Sequence, residues 1–165
     1  MPITYEPIAT TTLTSNTVIT FSSIPSTYTD LRLVLFNTPS YAENRPIIYF
    51  NGDETSSYSR VTLQANGSSV QTVSNLNSSG VVSNSNTGPT AVGLYTFDIF
   101  GYTRSIFKTV IMNSSGEKGT SDSNLDFIVG SWRNTSVISS ISLSATTTST
   151  FANGTTATLY GIKAV

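Results

Sequence analysis

The chain has 165 residues and contains neither cysteine nor histidine. Without cysteine there is no disulfide framework and no thiolate metal site, and the redox compartment stays open. Without histidine, Ser-His-Asp and Cys-His activation of a nucleophile are excluded, as are the usual zinc and non-haem iron sites. Charge is scarce as well. Asp, Glu, Lys and Arg make up 10% of the chain, against about 25% in ordinary domains. Eight scattered basic residues stand against nine acids, for a formal net charge of -1. That balance offers no electrostatic footprint for nucleic acid or an anionic membrane. No window reaches the length of a membrane span. The first residues lack a basic-then-apolar signal, so a Sec-type export route is not expected.

In place of charge the chain has Ser and Thr, about a third of its residues, with many Asn beside them, while hydrophobic residues are 38%. Its length suits one domain, residues 1–165, with a real core. The densest apolar stretch is Leu31 to Phe36, which reads as a central strand buried on both faces. Before it, Val18 to Phe21 is β-prone, Pro25 ends that run, and Ser26 to Asp30 has turn chemistry. Tyr5 to Leu13 reads as a first strand, held to a sheet edge by its prolines. Further strands are expected over Pro46–Asn51, Tyr58–Ala65, Val70–Val73, Ala91–Phe100, Ser105–Met112, Leu125–Trp132, Val137–Ala145 and Ala157–Ile162. Asn66-Gly67 is a tight-turn signal. Thr38 to Arg45, Ser74 to Pro89 and Asn113 to Asn124 read as loops. No segment keeps helical apolar spacing over ten residues. About nine to ten short strands with Gly, Asn and Pro turns predict an all-β, antiparallel, jelly-roll-like β-sandwich. Its core is expected from Phe21, Leu31, Leu33, Leu35, Ile48, Phe97, Ile99, Trp132, Ile141 and Leu159.

Chemistry-bearing constellations are weak. A glycosidase needs only two well-spaced carboxylates, so counting acids does not exclude one. Most acids here fall in predicted loops, where the plain reading is a solvated side chain. Asn51-Gly52-Asp53-Glu54 has part of a calcium-loop pattern but lacks its alternating carboxylates and distal Glu, so it reads as a strand-ending turn. Trp132 closes an apolar strand and is expected half-buried in the core; Tyr28 has the position of a corner tyrosine bonding backbone. No catalytic residue, metal site or cofactor is expected, and the chain is not expected to be an enzyme.

Four segments resemble those of small β-sandwich virion proteins of tailed bacteriophages, of the marine and cyanobacterial phage type. They are Phe21-x-x-Ile24-Pro25-x-Thr27-Tyr28-Thr29-Asp30-Leu31; Phe50-Asn51-Gly52-Asp53 with Tyr58-Ser59; Ser131-Trp132 with Ile138-x-x-Ile141-x-Leu143; and Leu159-Tyr160-Gly161-Ile162. The resemblance implies a structural protein of the virion, made in the host cytoplasm, either on the capsid or in the tail. The leading expectation is a capsid decoration (cement) protein that binds the major capsid protein shell, stabilises it, and self-associates as a homotrimer. The alternative is a tail or tail-fibre component that recognises a host surface glycan. Partner docking is expected in the Ser74–Pro89 loop, with Leu76, Val81, Val82 and Pro89 as anchors in an otherwise polar contact.

Overall fold

Turns rich in Asn, Gly and Ser cut the chain into short extended runs, and β-branched and aromatic residues make those runs strands. The computed structural model describes residues 5–38, 45–84, 92–117, 123–146 and 150–163. Twelve strands are present among the described residues: β1 (Tyr5–Thr12), β2 (Ile19–Phe21), β3 (Asp30–Asn37), β4 (Pro46–Phe50), β5 (Tyr58–Ala65), β6 (Val70–Ser78), β7 (Val81–Val82), β8 (Gly93–Phe100), β9 (Lys108–Glu117), β10 (Ser123–Trp132), β11 (Ile141–Ala145) and β12 (Thr156–Ile162). This exceeds the nine to ten expected. One reason is that part of the anticipated Ser74–Pro89 loop is strand: β6 runs on to Ser78 and β7 follows.

The strands form two antiparallel sheets, packed as a β-sandwich. The large sheet has the order β1-β12-β3-β8-β9-β10-β5-β6, and the small one β2-β11-β4-β7. The ten residues expected in the core are all buried. Trp132 is fully buried rather than half-buried, with Phe50 at 5.6 Å and Tyr58 at 6.3 Å between ring centroids. Val81, placed by sequence in a docking loop, is core: it lies over Gly130, where an added Cβ would come within 2.7 Å of its methyl group.

The strand expected to be buried on both faces is buried on one. Leu31, Leu33 and Leu35 point between the sheets; Arg32 and Val34 are half-buried on the other side and Phe36 is exposed there. The physical reason is that the large sheet is covered on one face only. Leu33→Ala and Leu35→Ala should each still cost about 2–5 kcal/mol in urea unfolding, because each leaves a cavity between the sheets. Neutral results for both would remove β3 from the core.

Two further expectations shift. Ile106 and Phe107 precede β9 and are exposed, and the buried residue that begins the strand is Lys108. Its ammonium donates to the carbonyls of Arg104 (2.7 Å), Ile106 (2.6 Å) and Thr135 (3.3 Å), tying two loops together. Burial lowers its pKa. The corner tyrosine is Tyr102, not Tyr28: its hydroxyl donates to Pro25 O and accepts from Tyr28 N at 3.3 Å. Tyr28 instead lays its ring on Gly161, where a Cβ would sit 2.3 Å from ring carbons, and donates its hydroxyl to Glu6 Oε2 at 3.0 Å.

Candidate docking surface

In β5 and β10 the usual arrangement of a half-buried strand is reversed. A strand alternates faces, so its apolar set normally faces the core. Here the outward set is apolar: Val61 is 55% exposed, Leu63 48%, Leu125 61%, Phe127 44% and Val129 42%. The inward set carries Arg60, Thr62, Asn124 and Asp126, all buried. Register brings the outward residues side by side, Phe127 opposite Leu63 and Val129 opposite Val61. Ile111 of β9 extends the patch, opposite Val129 on its other side. Across β9, Ser115 lies opposite Leu94, which lies opposite Phe36, so a second apolar pair follows on the same face.

This face is nearly free of net charge. Its Arg32 is paired with Asp98 through two guanidinium nitrogens, Nε and Nη2, across the β3–β8 register. Farther along, threonine hydroxyls pair across strands, Thr10 with Thr158 at 3.1 Å and Thr12 with Thr156 at 3.0 Å. Five half-exposed side chains of this size present on the order of 400–500 Å² of apolar surface, the size of the largest patch on a typical monomer, which is often functional.

Polar groups occupy the inner side of the same strands. Asp126 Oδ2 accepts from Ser83 Oγ at 3.0 Å and from Asn84 N at 2.8 Å, and Ser83 Oγ lies 3.2 Å from Ser114 Oγ. Arg60 donates to Val82 O and to Asn84 Oδ1. Burial and the neighbouring Arg45 charge lower the Arg60 pKa, and Asp126 offsets part of this. Burial raises the Tyr95 hydroxyl well above the usual phenol range.

The four residues expected to dock do not share a surface. Leu76 is exposed on edge strand β6, and Arg133 donates to its carbonyl at 2.7 Å. Val81 is in the core and Val82 is half-buried on β7; Pro89 lies outside the described residues. The sequence did carry a signal for the face that is exposed. Leu125, Phe127 and Val129 alternate with Asn124, Asp126, Ile128 and Gly130, so β10 has apolar residues in both phases and acids in only one.

The calcium-like turn has a different occupant. Asn51 and Gly52 both take positive φ (53° and 69°), and Asn51 Oδ1 accepts from the backbone of Ser139 at 2.9 Å and of Ser140 at 3.1 Å. Asp53 accepts from Thr55 Oγ1 at 2.6 Å and from Trp132 Nε1 at 2.8 Å. Desolvation pushes the Asp53 pKa up, but the hydrogen bonds from Thr55, Trp132 and Ser57 outweigh it and hold the carboxyl at about 2. No group of three or more metal-ligating side chains occurs among the described residues.

The segments that carry the phage resemblance meet in pairs. The first meets the fourth where Tyr28 covers Gly161 and Thr29 N donates to Ile162 O at 2.8 Å. The second meets the third through Asp53 and Trp132, and through Phe50 opposite Ile141. All four are therefore joints of the sandwich. No protein family, no curated protein and no solved structure matches the chain.

Proposed function

We propose that this chain is a structural protein of a bacteriophage virion, a capsid decoration protein that self-associates as a homotrimer on the major capsid protein shell. The observation that carries the reading is the reversed outer face of β5 and β10. A chain with 10% charged residues has little else to keep such a face soluble, and burying it against protein is the stabilising use of it. Its neutrality suits copies of one chain: in a threefold ring this patch meets a different patch of the next copy, and no net charge on it opposes that contact. A standard interface takes about 800 Å² from each partner, so the apolar patch supplies its centre and the surrounding Thr, Ser and Asn its rim. The segments resembling phage virion proteins agree with this role, since they build the frame and lie outside the face.

A second reading, a tail or tail-fibre component that binds a host glycan, is favoured by one observation, the polar cavity lined by Arg45 and Arg60. Stoichiometry separates the two. Purified protein mixed with emptied particles should co-sediment saturably at hundreds of copies per particle. Saturation at a few to a few dozen copies would assign it to the tail, and no binding would end the decoration reading.

A further inference from the structure

The two sheets are unequal, and the surplus of the large one creates a cavity. Inner-face residues of β5, β6 and β10 extend past β7, the edge of the small sheet, and line a space of about 440 Å³. Two guanidinium groups, Arg45 and Arg60, face it, with four carboxamides, Gln64, Asn66, Asn84 and Asn124; Val73 is the apolar member. Among the described residues the lining holds no carboxylate and no aromatic ring.

The electrostatics of this cavity are incomplete. Arg60 is 9% exposed, yet neither it nor Arg45 belongs to the ion pairs found among the described residues, Arg32–Asp98 and Lys163–Glu6. Nε of Arg45, Nε of Arg60 and Oδ1 of Asn124 are buried without a hydrogen-bond partner among the described residues. Asp126 offsets part of the charge, through a carboxylate that already accepts from Ser83 and Asn84. A buried guanidinium beside a second, half-buried one is costly unless an anion joins them.

We propose that this cavity binds a sugar carrying a carboxylate, a uronic acid. The paired guanidiniums suit a planar oxyanion, which accepts parallel N–H bonds. The carboxamides both donate and accept, as vicinal hydroxyls require. The volume falls in the range of about 300–1,000 Å³ usual for small-molecule sites. With no ring to stack on, a neutral sugar gains little, so affinity rests on the carboxylate. Phosphate satisfies the guanidiniums but brings no sugar hydroxyl as donor to Asn124 Oδ1, the carboxamide acceptor that is buried without a partner among the described residues. The inference holds for either location in a virion, and its test uses the purified chain alone.

Calorimetric titration with glucuronate, glucose and inorganic phosphate at equal ionic strength decides. Glucuronate should bind saturably, glucose should give no binding heat, and phosphate should bind about tenfold more weakly or less tightly still. Arg45→Gln should weaken glucuronate by about tenfold or more with melting unchanged, because Arg45 meets Thr146 through its backbone. Absence of glucuronate binding, equal binding of glucose, phosphate binding as tight as glucuronate, or full affinity in folded Arg45→Gln would each overturn the proposal. If Arg45→Gln does not fold, Gln64→Ala replaces it: severalfold weaker glucuronate binding supports the site, and unchanged binding overturns it.

Discussion

Phe127→Asp is expected to convert an assembly into a folded monomer. Phe127 lies at the middle of the reversed face, opposite Leu63 on one side and Asn113 on the other. In the free chain its side chain is exposed, so a carboxylate there is solvated, and unfolding free energy should change by only about 0.5 kcal/mol. In an assembly the same carboxylate is buried against apolar side chains with no cation to meet it, which costs several kcal/mol at every copy–copy contact. Light scattering at micromolar concentration should give three times the 17.6 kDa chain mass for the native protein and a single chain mass for the variant. Val137→Asp, on an exposed loop away from the face, should leave the assembly intact. A monomeric native protein, or an assembled Phe127→Asp, would sink the interface assignment.

Trp132→Ala should be the most destabilising single truncation, at about 3–5 kcal/mol. It empties the space between Phe50 and Tyr58 and removes the indole N–H from Asp53. Trp132→Phe separates these effects in part, since it keeps an aromatic ring but loses the donor and leaves a smaller cavity, at about 1–3 kcal/mol. The acid dependence follows from the carboxylate. Asp53 titrates at about 2 in the folded chain, below its ordinary 3.8. Its contribution is therefore present above the ordinary carboxylate range and is lost as pH falls through about 4 to about 2. Urea unfolding followed by circular dichroism should show native stability dropping across that window, with a smaller drop in Trp132→Phe. Equal drops would mean that the indole bond does not hold the carboxylate down.

The β class and the core were legible because period-two alternation and turn residues act locally. Leu31, Leu33 and Leu35 are buried whichever sheet they belong to, and the Asn66-Gly67 turn closes locally, with Asn66 Oδ1 accepting from Ser68 N and Ser69 N. What alternation does not carry is the choice of face. In β5, Val61 and Leu63 share one phase, and only the position of Tyr58, stacked beside Trp132, fixes that phase as outward. Polar composition misled in the opposite way. Ser74 to Ser78 has loop chemistry, yet it is strand because β5 offers it a ladder, with Val61 opposite Ser74 and Arg60 opposite Asn75. The cavity was invisible to any local reading, since Arg45, Arg60 and Asn124 come together only when one sheet outgrows the other.

The strand β12 lies between β1 and β3, pairing Thr12 with Thr156 and Thr156 with Phe36. Until the ribosome has released Ile162, the two earlier strands face each other across a gap of about 10 Å, one strand too wide for hydrogen bonds to cross. The large sheet cannot close before β12 has been made, and it closes by contacts that join β1 to β12 across most of the described residues. Such a topology folds slowly. A nascent chain with Leu33, Leu35 and the reversed face of β5 exposed together is at greatest risk of aggregation in that interval. The same pairing sets Tyr5 opposite Ile162, so joining those ends with a short linker and reopening the chain at the Asn66-Gly67 turn would place β12 early in synthesis and shorten the interval.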